Sequence, residues 1–481
     1  MGKIVLSEKK TRSGKIVFQN IFHKRLKMEK SENNDFCTTQ SFEKNQRLQQ
    51  LKGTPEYLPE EQIVREKIID ILKKNFKIYG FKPIETSILE YYNVAANKYA
   101  GGEEILKETY NLKDQGAREL CLRYELTFKL AKLFGLNPNL RLPFKRYEIG
   151  KVFRDGPIKP GRLREFTQCD VDVVGIKSVI ADAELISLIF SVFDELCLPI
   201  FVQISDKNFL FGLFEFCGVG SEKFAGVALS LDKLEKFGEE YVKKELFEKE
   251  ISENVVNTLF LLLKTANTKQ TNKDKLIFFK EKLNNTLAQK GLEDLQNFFK
   301  YCSYFGINKD IIFTPTLARG LGYYTGFVCE VFLKNSKIKS SISAGGRWDK
   351  MISKFLQSER EYPATGLTFG LDVIFTALKE KGLKIFINSK DKIPKILIIS
   401  INTQKKCLEI ATLLRKEGIK CIIEFEKSLK GALDYANKEQ IPFALIVGEK
   451  ELRENKYTLR NLDSKDEKML SFTEVVKNIK N

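Results

Sequence analysis

Apolar residues recur at helical spacing in the stretch after Pro59: Ile63, Ile68, Ile69, Ile71, Leu72 and Phe76, with polar residues between them. That spacing lines one face of a helix. Pro59 at its start, Glu60 and Glu61 in its first turn and Gly80 beyond Phe76 supply the start and stop signals. Downstream the period shortens. "KPIETSILE", "ETYNLKD" and "ELCLRYELT" read as strands, and "FKLAKLFGL" as a helix. "FKRYEIGKVFR" and "REFTQCDVDVVG" predict a hairpin around the Gly/Pro-rich loop "DGPIKPG", and "ADAELISLIFSVFDEL" predicts a helix.

From about 205 to 310 the pattern is helical and lysine-rich, as expected of an inserted helical subdomain. Strands return in "TGFVCEVF" and "SSISAGG", with a helix starting after "TFGLD". After "NSKDK" the period changes again. "KILIISI", "CIIEF" and "PFALIVG" are apolar runs of strand length, alternating with the helical stretches "QKKCLEIATLLRKEG" and "SLKGALDYANKE". Such alternation predicts a small α/β domain of βαβαβ type, its parallel strands buried on both faces. The expectation is therefore a basic extension over 1–50, an α+β domain over 51–385 with antiparallel sheet flanked by helices, and an α/β domain over 393–481.

Composition narrows the chemistry. The 481 residues are 43% hydrophobic and 30% charged, a globular composition long enough for two or three domains. No apolar run reaches a membrane span and no secretory signal is visible. The nine cysteines form no CxxC pair, which fits a reducing cytoplasm. A net charge of +17 points to an anionic partner, nucleic acid first and membrane surface second, or to a general richness in lysine. Residues 1–50 carry eleven Lys/Arg against five Asp/Glu and weak periodicity, as a solvated tail would. The chain holds one histidine, His23. Histidine general-base catalysis, a Ser-His-Asp triad and an HExxH zinc site are thereby all but excluded, and no metal site built from His and Cys is expected. Chemistry must then run on arginine, carboxylates, tyrosine and backbone, which favours nucleotidyl or phosphoryl transfer.

The hairpin is where such groups gather. Alternate residues of a strand share a face. Gln168, Asp170 and Asp172 therefore lie in one row, with Arg164 and Phe166 continuing it, while Val171 and Val173 take the other face. Arg154 enters the loop and Arg162 leaves it, so both guanidinium forks can converge on one anion. The plain alternative is an exposed hairpin whose charges pair across strands. "LRYELTF" puts Glu125 and Thr127 two apart on a strand, on one face. "LARGLGYYTG" sets Arg319 before two glycines and the pair Tyr323 and Tyr324; "SISAGGRWDKM" and "GLTFGLDVIF" add Gly345, Gly346, Gly366 and Gly370, where backbone can approach a ligand.

Together and in this order, these stretches resemble the histidyl-tRNA synthetase family of class II aminoacyl-tRNA synthetases. "FRDGPIKPGRLREFTQCDVDVVG" resembles the second class signature, "GTPEYLPEE…YGFKPIETSILE" the first and "GLTFGLDVIF" the third. "LARGLGYYTG" and "SISAGGRWD" resemble the two motifs that mark the histidine enzymes, and 393–481 an anticodon-binding domain. The resemblance covers roughly 50–481.

It implies a class II-like antiparallel sheet, a homodimer, a cytoplasmic setting, and ATP-dependent attachment of L-histidine to tRNA(His) through histidyl-adenylate, with ATP as substrate and Mg2+ alongside it. By motif position, Glu125, Leu126 and Thr127 would hold the histidine α-amino group, and Gln168 would lie near its carboxyl and amino groups. Asp172 would bond the imidazole, and Tyr323 and Tyr324 would wall that pocket. Arg154 and Arg162 would bind phosphate and carboxylate. Phe166, Gly370 and Asp372 would complete the ATP site, and Arg319 would neutralise the α-phosphate during attack. The sequence departs from the family pattern at Val373, where an arginine usually stacks on adenine, and at Gly156, Ser87, Gly322 and Trp348. The altered adenine end leaves a second reading, a non-catalytic regulatory protein that binds histidine or tRNA.

Overall fold

The computed structural model describes residues 48–96, 103–158, 161–318, 322–382 and 394–480. The extension expected over 1–50 lies outside them except for its last three residues, as does Arg319.

The strands are β1 (Lys82–Pro83), β2 (Leu89–Tyr91), β3 (Asn111–Lys113), β4 (Glu119–Leu122), β5 (Phe144–Phe153), β6 (Glu165–Val174), β7 (Ile200–Asp206), β8 (Ile311–Phe313), β9 (Phe327–Leu333), β10 (Ser343–Arg347) and β11 (Ala364–Gly370). One eight-stranded sheet runs β1-β5-β6-β11-β10-β9-β7-β8. Its edge pairs β1–β5 and β7–β8 are parallel and the rest antiparallel. A second, three-stranded sheet has the order β2-β4-β3.

The hairpin is the longest pairing, with Phe144 opposite Val174 and Phe153 opposite Glu165. Its alternation has the predicted consequence. Cys169, Val171 and Val173 enter the main core with Val64, Ile68 and Phe76 of the helix Pro59–Ile78 and Leu185, Ile189 and Phe193 of the helix Ile180–Glu195. The polar residues between them face the other way. Full burial of one such aliphatic side chain is worth about 1.5–3 kcal/mol, so the row fixes which face of the sheet holds the core.

Helices fill the segment from Lys207 to Tyr304, which leaves and rejoins the sheet between β7 and β8. Asp206 ends β7 and caps the first of them, accepting the N–H groups of Asn208 and Phe209.

The C-terminal sheet consists of β12 (Ile396–Ser400), β13 (Cys421–Glu424), β14 (Phe443–Val447), β15 (Tyr457–Asn461) and β16 (Glu467–Leu470), ordered β13-β12-β14-β15-β16. The first three are parallel, as expected of βαβαβ units. Ile396 and Ile398 pack under the helix Gln404–Lys416, and Leu397 and Ile399 under Leu429–Lys438, which explains the uninterrupted apolar run. The antiparallel β15 and β16 and the last helix, Phe472–Lys480, extend this sheet beyond what the pattern predicted, because their half-exposed positions carry mixed polar residues. No helix among the described residues is long and apolar enough to cross a membrane.

Two local expectations are corrected. "KPIETSILE" is two short strands in different sheets. The strand in "ELCLRYELT" stops at Leu122, and Thr127 opens the helix Thr127–Leu136, so Glu125 and Thr127 do not share a strand face. The cause is local. The two Glu125 carboxylate oxygens accept the N–H groups of Thr127 and Phe128, each at 2.6 Å, satisfying donors that a helix start leaves open.

Candidate active site

The polar face of β6 forms one wall of a cavity of about 450 Å³. Phe166, Gln168, Asp170 and Asp172 line it in a row, and Glu330, Ser343, Thr368 and Gly370 of β9, β10 and β11 continue the floor. Glu125 and Thr127 close one side, Tyr323 and Tyr324 another, and Arg154 and Arg162 approach from the hairpin loop. The plain alternative of an exposed hairpin is excluded, since Gln168, Asp170 and Asp172 are all buried.

One end of the cavity is acidic and rests on buried arginine. Asp172 pairs with the fully buried Arg146 of β5 at 2.5 Å, and Arg146 also reaches Glu148 at 3.5 Å. Glu148 in turn accepts from Arg123 at 3.2 Å and from the Thr86 amide and hydroxyl at 2.8 and 2.7 Å. Buried charges persist only when paired in this way. The arrangement needs Gly150, because a Cβ there would stand 2.2 Å from the Arg123 guanidinium. Burial nevertheless pushes Asp170 up to about 8 and Asp172 up to about 7; Arg146 pulls each back, and the neighbouring carboxyls add to the rise. Burial raises Glu125 as well, against the pull of the two amides it caps.

The other end is cationic and aromatic. The Arg154 guanidinium stacks 4.2 Å from the centre of the Tyr124 ring and 5.0 Å from that of Phe166. Arg162 pairs with Glu108 at 2.5 Å, and Glu108 also accepts the Tyr124 hydroxyl at 3.0 Å. Stacking and pairing fix both forks without consuming all their donors.

Of the residues singled out from sequence, the structure brings together Glu125, Thr127, Arg154, Arg162, Phe166, Gln168, Asp172, Tyr323, Tyr324 and Gly370 around this cavity. Leu126 is fully buried and does not line it; its carbonyl accepts from Arg146 at 3.4 Å. Asp372 does not reach it either. Its carboxylate is taken up behind β6 by Arg65 and the Tyr57 hydroxyl, each at 2.7 Å, and by the Thr167 amide at 2.7 Å. Val373, one residue on, does line the cavity. Sequence reasoning missed Tyr124, Glu108 and Arg146, for which no local signal existed. It placed Asp170 in the polar row and then gave it no role.

A family model described as histidyl-tRNA synthetase matches residues 53–374, and an anticodon-binding-domain model matches 395–481. The histidine–tRNA ligase 1 of Bacillus cereus is 48% identical over 417 residues, covering 86% of this chain and 95% of that protein. The histidine–tRNA ligase 2 of Shouchella clausii is 42% identical over 427 residues, covering 88% and 98%. The crystal structure of histidyl-tRNA synthetase from a Nostoc species superposes with a TM-score of 0.74 at 26% identity, over 90% of this chain and 98% of that one. None of these matches supports the non-catalytic alternative. The chain belongs to the histidyl-tRNA synthetases, class II aminoacyl-tRNA synthetases that attach histidine to tRNA with ATP.

Proposed function

We propose that adenylation of histidine takes place in the cavity on the polar face of β6, with the acidic end holding the amino acid and the arginine end the reacting phosphate. The observation that carries this is the polarity of one continuous cavity: buried carboxyls at one end, two fixed guanidinium groups at the other. Glu125 and Thr127 hold the α-amino group, Gln168 orients the amino acid's carboxylate, and Asp172 and the Tyr323–Tyr324 wall select the imidazole.

A histidine carboxylate oxygen attacks the ATP α-phosphorus, the bond to the β-phosphate bridge breaks, and pyrophosphate leaves. Two anions meet in that step, and Arg154, held on Tyr124 and Phe166, offsets their repulsion without moving a proton. Arg162 and, by motif position, Arg319 share this task. The terminal tRNA hydroxyl then takes the acyl group, releasing AMP. Phe166, Gly370 and the apolar Val373 frame the adenine. Among the described residues no group of three His, Cys, Asp or Glu could hold a metal ion. Magnesium would arrive on the ATP phosphates, in keeping with its preference for phosphate oxygens and water. The enzyme would act as a cytoplasmic homodimer, with the unit over 51–385 catalysing and that over 393–481 reading the anticodon stem.

ATP–pyrophosphate exchange with each amino acid tests this reading. Exchange specific to histidine and lost in Arg154→Ala and Arg319→Ala supports it; histidine binding without exchange overturns the adenylation step.

A further inference from the structure

Asp170 is a buried acid of the cavity whose carboxylate is little used. It is 2% exposed and lines the cavity; its Oδ1 meets no partner at full hydrogen-bond geometry, though the Thr368 hydroxyl is near enough to pull the carboxyl toward its charged form. Its Oδ2 is 3.5 Å from the Thr127 hydroxyl, the limit of a hydrogen bond. Three neighbouring acids are engaged: Glu125 by two amides, Asp172 by Arg146, and Glu148 by Arg123 and Thr86. Four carboxyls in this cluster (Glu125, Glu148, Asp170, Asp172) face two guanidinium groups, Arg123 and Arg146, so full ionisation leaves two negative charges unmatched. A buried carboxylate without a donor is costly, and a ligand cation relieves the cost.

We propose that Asp170 is a further substrate-binding residue, whose Oδ1 takes the α-ammonium group of histidine beside Thr127. The assignment rests on the cavity being the histidine site. Glu125 has spent its strongest acceptor directions on the start of the helix Thr127–Leu136, so Asp170 carries most of the ammonium's charge while Asp172, anchored by Arg146, is left to the imidazole. Burial, with Asp172 and Glu125, pushes the Asp170 carboxyl up to about 8 against the pull of Arg146 and the Thr368 hydroxyl, which favours its neutral form in the empty cavity. The incoming ammonium displaces the proton.

Calorimetry with three probes reads this directly: L-histidine, histidinol, which lacks the carboxylate, and imidazolepropionate, which lacks the ammonium. In Asp170→Asn, affinity for histidine and histidinol falls about 100-fold, the scale of removing one partner of a buried charge pair. Affinity for imidazolepropionate stays within about 2-fold, Asp170→Glu restores part of the loss, and the KM for ATP is unchanged. Wild type, in paired buffers of different ionisation enthalpy near pH 7.5, releases more protons on binding histidinol than on binding imidazolepropionate. Equal losses for all three probes, or equal proton release, overturn the assignment of Asp170. Failure of wild type to bind histidine at all instead overturns the site.

Discussion

Asp172 and Gly366 face each other across the β6–β11 pairing so closely that a Cβ on Gly366 would lie 1.9 Å from Asp172 Oδ1. The carboxylate proposed to read the imidazole thus lies over the bare backbone of the neighbouring strand, held from the other side by Arg146. Gly366→Ala must push it away. We expect kcat/KM for histidine to fall by about 100-fold, the usual cost of an ångström-scale misplacement, while KM for ATP holds. Steady-state exchange kinetics with each substrate varied would show the split.

Arg65 and Asp372 are 307 positions apart and meet at 2.7 Å, both buried. Arg65 also lies 3.8 Å from the centre of the Tyr57 ring, whose hydroxyl is held protonated by burial and by Asp372. Arg65→Ala removes the cation paired with buried Asp372, leaving it the Tyr57 hydroxyl and the Thr167 amide, and should cost about 3–5 kcal/mol of stability. Urea melts read this directly. Asp372→Asn should destabilise too, and loosen the Thr167 amide one residue from Gln168.

Arg154 is expected to tolerate no replacement. Arg154→Ala should lower kcat for adenylation by about 10²–10³, the scale of losing one preorganised charge donor. Arg154→Lys should recover little, because an ammonium cannot stack flat on Tyr124 and Phe166. Single-turnover formation of adenylate, at saturating histidine and ATP, separates this from weakened binding.

Stability of the unliganded chain should fall as pH rises through neutrality. Asp170 and Asp172 ionise near 4 when unfolded but near 8 and 7 when folded, among Arg146, Glu125 and Glu148. The folded chain keeps protons that the unfolded chain has lost. The stability from neutral carboxyls is therefore full below about pH 4 and lost as pH climbs through 7 and 8. Asp206, raised to about 7 by burial, adds to the same trend. Carboxylates lowered by lysine, such as Glu245 and Glu424 at about 2, change stability only in acid and do not offset it. Each group contributes up to about 1.4 kcal/mol per pH unit. Denaturant midpoints between about pH 5.5 and 8.5 should decline in wild type, and less steeply in Asp170→Asn.

Much of the architecture is legible because it rests on local periods. The helix Pro59–Ile78, the hairpin of β5 and β6 and the parallel strands β12, β13 and β14 each follow from spacing, turn residues and apolar runs. The row Phe166, Gln168, Asp170, Asp172 follows from the two-residue period of a strand, and it marked the cavity wall. The Glu125–Thr127 segment was misjudged as strand because a carboxylate that caps a helix start looks, in sequence, like any acid beside a hydroxyl.

The sequence by itself therefore determined the elements, their buried faces and which polar residues share a face. Tertiary structure decided which charges are paired and which are not. Arg146 lies under Asp172 because β5 and β6 pair in one register, and Asp372 turns from the cavity because Arg65 and Tyr57 meet it behind the sheet. Periodicity is set by neighbours along the chain. The ionic state of a buried side chain is set by whatever strand order brings beside it, and that partner can be hundreds of residues away.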